Sequence, residues 1–205
     1  KELAQLQSAY ASFMPKPISG MNGSGMHVHQ PIFRGNQNAF FDSDDEHHLS
    51  ITGKQFIAGL LRHAPEITLV TNQWVNSYKR LVPGFEAPAF ISWAHISRSD
   101  LIRVPAHKPG YESSMRVEYR APDPACNPYL AFSVMLAAGF KGIEQEYPIP
   151  SAAEGNVFAI FEPRSATACR RSHQEAYSSA FDAATRVIFA PIGRPELQPD
   201  EKLDI

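Results

Sequence analysis

The chain has 205 residues, of which 43% are hydrophobic, so it holds enough apolar material for one large domain or two small ones. Its formal net charge of −2 excludes the strongly basic field with which proteins bind nucleic acid or anionic lipid. Its two cysteines form no framework of spaced pairs, which fits a reducing compartment such as the cytoplasm, and its longest apolar stretch, residues 130–140, is too short to cross a bilayer.

The first third of the chain predicts a helix end, a glycine loop, a strand and a longer helix. Residues 1–10 read as the end of a helix, and the run Asn-Gly-Ser-Gly at 22–25 predicts a loop whose backbone can approach a ligand closely. Residues 26–30 then predict a strand, and residues 42–48 predict a polar hairpin region. Apolar residues at helical spacing predict an amphipathic helix over residues 50–63.

The middle of the chain predicts a long loop, two strands and a buried helix. Residues 76–88 are rich in turn formers and charge, and predict a surface loop of the kind that often carries function. Residues 89–96 and 101–104 predict strands. Asn127 followed by proline is a favourable helix start, and residues 129–143 are apolar nearly all round, which predicts a helix buried against a sheet.

The last quarter of the chain differs in character from the rest. Residues 151–205 are rich in Ser, Ala, Arg and Pro, and predict a divergent tail that follows a domain over residues 1–150. Within this tail, residues 174–188 are predicted to form a helix, and the last dozen residues read as a loose end.

Two short segments carry side chains suited to binding a charged ligand. Because side chains alternate along a strand, Arg116, Glu118 and Arg120 would share one face, as would His27 and His29. Carboxylate and imidazole groups hold divalent cations, and guanidinium groups bind phosphate and carboxylate oxygens. Neighbouring strands with these patterns would form a site for a metal-bound polyphosphate. The alternative, which either motif alone favours, is an exposed sheet face with a surface ion pair.

Further polar residues extend this candidate site. Five arginines lie on predicted strands or their flanking loops: Arg80, Arg98, Arg103, Arg116 and Arg120. Ordinary surface charge accounts for any one of them, but five in a common cleft would repel one another without an anion or acidic partners. Glu86 lies in the predicted loop, where a mobile acid can close over a site and accept a proton, or remain a solvated side chain. Asn22 and Gly23 can offer an amide oxygen and backbone groups to an ammonium ligand.

Three motifs in this order resemble signatures of the glutamine synthetase family. Residues 16–29, with Lys-Pro followed by Asn-Gly-Ser-Gly-Met-His-Val-His, resemble its ATP-binding signature. Residues 76–88 resemble its glutamate-binding segment and flap, and residues 116–130 resemble its metal- and nucleotide-binding strand with the helix that follows. The resemblance covers roughly residues 1–150 and is strongest to the bacterial type I branch.

The resemblance implies a role for each residue of the candidate site. The ligands of an Mg²⁺ or Mn²⁺ ion that activates the ATP γ-phosphate would be His27 and Glu118. The residues in contact with ATP would be His29, Arg103 and Arg116. The residues that hold the amino group and carboxylates of glutamate would be Asn22, Gly23, Arg80 and Arg120. The catalytic residues would be Arg98, which stabilises phosphoryl transfer, and Glu86, which closes over the intermediate and helps to take a proton from ammonium.

The resemblance also implies a reaction and an architecture. The γ-carboxylate of glutamate would attack ATP to give γ-glutamyl phosphate, and ammonia would then displace phosphate. The fold would be α+β, with a curved antiparallel sheet that carries the active site on its concave face and helices packed behind. Family members form large rings, so the full-length form would be a homo-oligomer, with no nucleic acid or membrane partner.

Some features depart from the family pattern. Pro31 stands where the family usually has serine, Ser97 where it often has asparagine, and Phe158 near the position of a regulatory tyrosine, so adenylylation there is not expected. The earlier catalytic half of the family supplies further metal-binding glutamates, and this chain starts at Lys1, so we expect part of a site and little turnover from the isolated chain. A γ-glutamyl-polyamine ligase and a catalytically inactive structural relative remain the alternatives.

Overall fold

The structure is a computed structural model that describes residues 1–95, 97–153, 158–161 and 186–189. The chain divides into two compact units, Lys1–Glu154 and Gly155–Ile205. The first unit contains both helices and strands, as the predicted α+β class requires. No helix among the described residues is long and apolar enough to span a bilayer.

A four-stranded sheet forms the centre of the first unit. Its strands are β1 (Val28–Gln30), β4 (Phe90–Ala94), β5 (Asp100–Arg103) and β6 (Val117–Tyr119), in the order β1-β6-β5-β4. β1 and β5 both pair antiparallel with β6, while β4 and β5 run parallel. The sheet is therefore mixed, and the prediction of an antiparallel sheet is wrong for the β4–β5 pair.

The first unit also contains a set of smaller elements. It consists of α1 (Glu2–Leu6), the hairpin strands β2 (Phe33–Arg34) and β3 (Gln37–Asn38), and a 3-10 turn at Glu112–Ser114. The hairpin is antiparallel and lies earlier than the polar region predicted at residues 42–48. The helix end predicted over residues 1–10 is present but short.

The long helix α2 (Ile51–Thr71) packs against the sheet. It begins where predicted because the Ser50 hydroxyl accepts a hydrogen bond from the Gly53 N–H and so caps the helix. It continues past residue 63, where the prediction ended, and includes Pro65. Proline disfavours a helix interior, but Ile67 and Thr71 are buried on the same helix, and tertiary packing outweighs that penalty.

A short helix, α3 (Val75–Arg80), occupies the first part of the segment that was predicted to be a loop. The Trp74 N–H donates to the Ser77 hydroxyl at 3.3 Å and satisfies a group at the helix start. Ser77 and Arg80 are buried, so this part of the segment is not a surface loop. The prediction is wrong for residues 76–80 and holds for the non-helical residues that follow them.

Helix α4 (Pro128–Glu144) packs against α2 rather than directly behind the sheet. The Asn127 side chain accepts hydrogen bonds from the N–H groups of Tyr129 and Leu130, which confirms the predicted cap. The opposite face of the helix exposes large apolar side chains: Tyr129, Leu130, Phe132, Leu136 and Phe140. The prediction that this helix is buried against a sheet rather than facing solvent is therefore wrong for the first unit alone.

Glycines allow α2 and α4 to approach closely. A Cβ atom at Gly59 would lie 2.2 Å from the Ala138 carbonyl oxygen and 2.8 Å from the Gly142 nitrogen. A Cβ atom at Gly142 would lie 2.1 Å from the Gln55 carbonyl oxygen. Backbone therefore meets backbone at this crossing. One apolar core lies between the helices and the sheet, with Phe56, Leu60, Ile102, Tyr119 and Met135 among its fully buried members.

The second unit contains two described strands, β7 (Phe158–Phe161) and β8 (Arg186–Phe189), which pair in parallel. Residues 186–188 are thus extended, whereas the prediction included them in a helix over residues 174–188. The remainder of that predicted helix and the predicted loose end lie outside the described residues.

Candidate active site

The two segments singled out in the sequence lie side by side. Strands β1 and β6 pair so that Val28 faces Tyr119 and His29 faces Glu118. The side chain of His27, just before β1, reaches Glu118, with Nδ1 of the histidine 3.0 Å from Oε1 of the carboxylate. The predicted neighbourhood of an imidazole and a carboxylate is therefore present.

Glu118 is the centre of a charged cluster. Arg103 Nε donates to Oε2 at 2.6 Å, and Arg120 Nη1 donates to Oε1 at 2.7 Å. The side chain is only 2% exposed. Burial alone would raise its pKa, but hydrogen bonds from His27 and Arg103 and the charges of Arg120 and Arg103 outweigh burial and lower the pKa to about 2. Glu118 is thus a carboxylate that stays ionised.

Arg120 connects this cluster to two loops. Its Nη1 lies 3.3 Å from His27 Nδ1, and its Nη2 donates to the carbonyl oxygens of Glu86 at 3.1 Å and Arg98 at 2.8 Å. The side chain is buried. One guanidinium group therefore orders the backbone at both predicted catalytic residues and leaves their side chains to solvent.

Those two side chains face each other at the surface. Arg98 Nη1 lies 3.8 Å from Glu86 Oε1, and both side chains are more than half exposed. Glu86 has a φ of 50°, a left-handed conformation that is uncommon for a residue other than glycine and is enriched at functional sites. The acid is thus held on an exposed, strained part of the loop.

His29 and Arg116 form a second, more exposed pair. Arg116 Nε donates to His29 Nδ1 at 3.1 Å, and Arg116 Nη1 donates to the Ser114 carbonyl oxygen at 3.0 Å. Burial lowers the pKa of His29; the charges of Arg116 and Arg103 lower it further, against the opposing effect of Glu118. His29 is therefore a neutral imidazole at neutral pH, beside two guanidinium groups.

Arg80 lies on a helix rather than on a strand or loop as predicted. It is 3% exposed, at the end of α3, and donates to three consecutive carbonyl oxygens: Arg120 at 2.9 Å, Ala121 at 2.7 Å and Pro122 at 3.3 Å. Burial lowers its pKa to about 10, which still leaves it charged. Three of its five N–H groups are occupied in this way, so Arg80 holds the chain after β6 and keeps two donors for a ligand.

A small polar pocket of about 130 Å³ brings several of these residues together. Its lining includes six of the predicted site residues: Asn22, Gly23, His27, Arg80, Glu86 and Arg120. Gly25 also belongs to the wall, where a Cβ atom would lie 2.4 Å from Arg80 Nη2 and 2.7 Å from His27 Nε2. The glycine loop therefore lets backbone approach the pocket, as expected. The other five predicted site residues lie outside this lining: His29, Arg98, Arg103, Arg116 and Glu118.

The donor set around Glu118 fits part of a divalent metal site. His27 Nδ1 and Glu118 Oε1 lie 3.0 Å apart, and an imidazole and a carboxylate are groups that would hold a divalent cation and supply charge neutralisation there. Arg120 Nη1 contacts both atoms and provides the positive charge there in this structure. Among the described residues, no group of three or more His, Cys, Asp or Glu side chains is arranged to hold a metal ion. His27 and Glu118 therefore fit as two members of a larger ligand set.

Three residues of this region were not assigned a role in the sequence analysis. Lys16 and Phe85 form a cation–π contact, with the ammonium nitrogen 3.6 Å from the ring centroid, and the Asn76 side chain holds the backbone of Lys16. The sequence signal was available, since Lys16 opens the first motif and Asn76 and Phe85 belong to the second. Nothing in their spacing showed that the two motifs touch.

Comparison with known proteins identifies the family. The family model described as glutamine synthetase, catalytic domain, matches residues 1–183. The chain belongs to the glutamine synthetase catalytic-domain family. Because the match passes residue 150, the family resemblance is longer than the three motifs indicated, while the boundary between residues 1–150 and 151–205 stays a prediction.

Several glutamine synthetases are similar to the chain. That of Mycobacterium tuberculosis is 51% identical over 191 residues, which are 93% of this chain and 42% of the relative. That of Mycolicibacterium smegmatis is 54% identical over 160 residues, 78% of this chain and 36% of the relative. That of Methanococcus maripaludis is 51% identical over 162 residues, which are 79% of this chain and 36% of the relative. The chain thus spans less than half the length of the glutamine synthetases that it matches.

Proposed function

We propose that this chain carries part of the active site of an ATP-dependent glutamate–ammonia ligase. The observation that carries the proposal is the buried cluster of His27, Arg103 and Arg120 around Glu118, at the edge of a pocket lined by Asn22, Gly23 and Glu86. This arrangement supplies cationic donors for an acidic substrate on one side and exposed phosphate-binding groups on the other.

Glutamate would enter the polar pocket. The Asn22 side chain and the Gly23 backbone would hold its amino group, and Arg120, with the two remaining donors of Arg80, would hold its carboxylates. Such positioning would bring the γ-carboxylate towards the nucleotide and lower the entropic part of the barrier. His29, Arg103 and Arg116 would contact the phosphates of ATP.

The exposed pair would act on the reacting groups. Arg98 would stabilise the charge that develops on the transferring phosphoryl group, and Glu86 would accept a proton from ammonium as ammonia attacks γ-glutamyl phosphate. A divalent cation bound to His27 and Glu118 would supply charge neutralisation of the phosphates.

The wider architecture follows from the family resemblance. We infer that the sheet curves and carries the pocket on its concave side, because residues on or beside the adjacent strands β1, β6 and β5 meet at Glu118. The protein would act as a homo-oligomer in the cytoplasm. Residues 151–205 would form a divergent tail after the catalytic portion.

Ligand-dependent stability and turnover test the proposed function. Thermal unfolding is measured for the 205-residue chain and for the longest product of its gene, with and without ATP, Mg²⁺ and L-glutamate, because ligands of the native state raise the apparent stability. Phosphate release is then measured with ammonia and with putrescine. We expect stabilisation and ammonia-dependent release; release with putrescine alone would support the amine ligase, and no stabilisation by any ligand would support an inactive relative.

The exposed Arg98 provides a matched pair of variants. Arg98→Gln is expected to lower turnover of the gene product about 100-fold or more, because it removes charge stabilisation in the transition state. Its unfolding temperature should stay unchanged, since Arg98 is largely exposed. Arg34→Gln, at another exposed arginine, is the control and should leave both measurements unchanged. Equal turnover of the two variants would remove Arg98 from the mechanism.

A further inference from the structure

Lys16 is a buried lysine that contacts two walls of the polar pocket. The exposed fraction of Lys16 is 9%. The ammonium group donates a hydrogen bond to the Met21 carbonyl oxygen, and it lies 3.6 Å from the centroid of the Phe85 ring. Both contacts come from the same charged group, so the two segments that carry Met21 and Phe85 are joined through it.

The two contacts lie at and beside the proposed substrate site, since Phe85 itself lines the pocket and Met21 is next to a residue that does. Met21 precedes Asn22 and Phe85 precedes Glu86, and Asn22 and Glu86 line the pocket from its two sides. Lys16 therefore joins the two segments that form these sides of the pocket. A loop held at Phe85 also restrains the left-handed conformation of Glu86, whose φ is 50°.

The backbone of Lys16 is fixed independently of its side chain. Its N–H donates to Asn76 Oδ1 at 2.6 Å, and Asn76 Nδ2 donates to its carbonyl oxygen at 3.0 Å. The preceding Pro15 carbonyl oxygen accepts from the Ser24 N–H at 2.8 Å. Substitution of the Lys16 side chain therefore removes the contacts to Met21 and Phe85 and leaves the segment anchored.

The charge of Lys16 is not neutralised by an acid. Among the described residues, no carboxylate lies within 4.0 Å of its ammonium nitrogen. A buried ammonium group needs compensating partners, and here they are a carbonyl oxygen and an aromatic face. Cation–π attraction is stronger in such a desolvated setting than at an exposed site. The contact with Phe85 is therefore a strong restraint on the loop.

We propose that Lys16 is a positioning residue that fastens the Glu86 loop, residues 81–88, to the glycine loop, residues 20–25, through the Phe85 ring and the Met21 carbonyl group. It holds the two sides of the pocket at the spacing that glutamate requires and keeps Glu86 over the site. This inference rests on the proposed function for the identity of the substrate, while the fastening itself is a property of the ligand-free chain.

Amide hydrogen exchange of the ligand-free 205-residue chain tests the fastening directly. Lys16→Met keeps the length of the side chain and removes its charge, and Phe85→Leu removes the ring. We expect exchange of the Val82 N–H, which donates to the Arg80 carbonyl oxygen at 2.9 Å within this loop, to become about tenfold faster in each variant, a factor that corresponds to about 1.4 kcal/mol. Protection in α2 and α4 should be unchanged. The double variant should exchange no faster than either single variant, because each of the three variants loses the same contact between the Lys16 ammonium group and the Phe85 ring.

Conservative variants distinguish positioning from a general loss of structure. Lys16→Arg keeps a cation that can stack on the ring, and Phe85→Tyr keeps an aromatic face, so both should retain slow exchange in the loop. Lys54→Met, which removes a lysine paired with Asp45, is the matched control and should not affect this segment. Loop exchange that is the same in Lys16→Met, Lys16→Arg and the unmodified chain would overturn the proposal. Should Lys16→Met lose protection throughout, the Phe85 variants decide the outcome.

A titration with L-glutamate separates this proposal from the proposed function. Followed by NMR, the dissociation constant should rise about tenfold in Lys16→Met and little in Lys16→Arg. If the unmodified chain binds no glutamate, the proposed substrate is wrong for this chain, while the exchange measurements still decide the fastening. If it binds glutamate and Lys16→Met binds it equally, with unchanged loop exchange, the positioning role is refuted and the proposed function stands.

Discussion

Glu118 shows how one buried carboxylate determines the arrangement of the site. Two arginines and a histidine converge on its two oxygens, and none of these partners has a second carboxylate within 4.0 Å among the described residues. The stability of the cluster therefore depends on the ionised form of a single side chain.

The variant Glu118→Gln tests this dependence. It should lower the free energy of unfolding at pH 7 by about 2 kcal/mol or more, because Arg120 would stay buried without a counter-charge. Glu66→Gln is the control, since the Glu66 side chain is 73% exposed in its pair with His63 and should cost less than about 0.5 kcal/mol. Chemical denaturation measures both. Equal losses of unfolding free energy would show that the buried ion pair of Glu118 and Arg120 stabilises the fold no more than an exposed pair does.

The low pKa of Glu118 also gives a pH dependence with a definite sign. Its pKa is about 2 in the folded chain and 4.5 without the fold, so its contribution to stability is complete above pH 4.5 and is lost as the pH falls towards 2. The unfolding free energy of the unmodified chain should fall over this interval more steeply than that of Glu118→Gln. Parallel pH profiles for the two proteins would contradict the assignment.

His95 predicts a second pH effect, at milder acidity. Its ring lies against that of His47, with centroids 3.8 Å apart, and contacts Trp93. Burial and, to a smaller extent, the charge of His47 lower the pKa of His95 from 6.5. The charges of Asp45 and Glu46 oppose this effect. A histidine with a lowered folded pKa destabilises the fold as the pH drops below 6.5, until the folded pKa is passed. Denaturation at pH 7.5 and 5.5 should show a smaller difference for His95→Gln than for the unmodified chain.

At the scale of the elements, the crossing of α2 and α4 depends on the absence of side chains. Gly59→Ala would push a Cβ atom to within 2.2 Å of the Ala138 carbonyl oxygen, and backbone cannot move aside as a flexible side chain can. We expect a loss of about 1–3 kcal/mol in unfolding free energy, despite the better helix propensity of alanine. Gly53→Ala, in the same helix, meets side-chain atoms only, with Leu49 Cδ1 the nearest at 2.7 Å and Phe40 Cβ at 3.4 Å, and is the control. A neutral Gly59→Ala would show that the helices are free to separate.

The elements with a strong local pattern were predictable from the sequence. Alternation in residues 116–120 correctly separated Glu118 and Arg120 from the core residues Val117 and Tyr119. The cap at Asn127 also marked a true helix start, because capping is a local hydrogen-bonding preference.

Other features depend on contacts that no local pattern contains. Helix α3 was missed because the segment after Val75 is dominated by turn formers, while burial of Ser77 and Arg80 decides its conformation. The continuation of α2 through Pro65 has the same cause. Arg80 could be expected near the site, but its three carbonyl acceptors follow β6, some forty residues later, so its partly structural role required the fold.

At the scale of the whole molecule, the chain contains both predicted metal ligands but no complete ligand set among its described residues. We therefore expect the 205-residue chain to bind Mn²⁺ weakly and to show little ligase turnover. Mn²⁺ relaxation measurements on the chain and on His27→Gln, with phosphate release as the second measurement, test this. Tight binding together with rapid turnover would show that the chain provides a complete centre.

The burial of Arg80 beneath the pocket bears on how the molecule responds to ionic strength. Mobile counter-ions screen exposed groups such as Arg98, whose attraction for anions beyond about 10 Å is largely lost at 0.1 M salt, whereas a guanidinium with 3% exposure is screened much less. The pocket thus keeps a permanent electrostatic bias that added electrolyte does not remove. Carboxylates bound there should remain bound at salt concentrations that detach polyphosphates from the outer arginines.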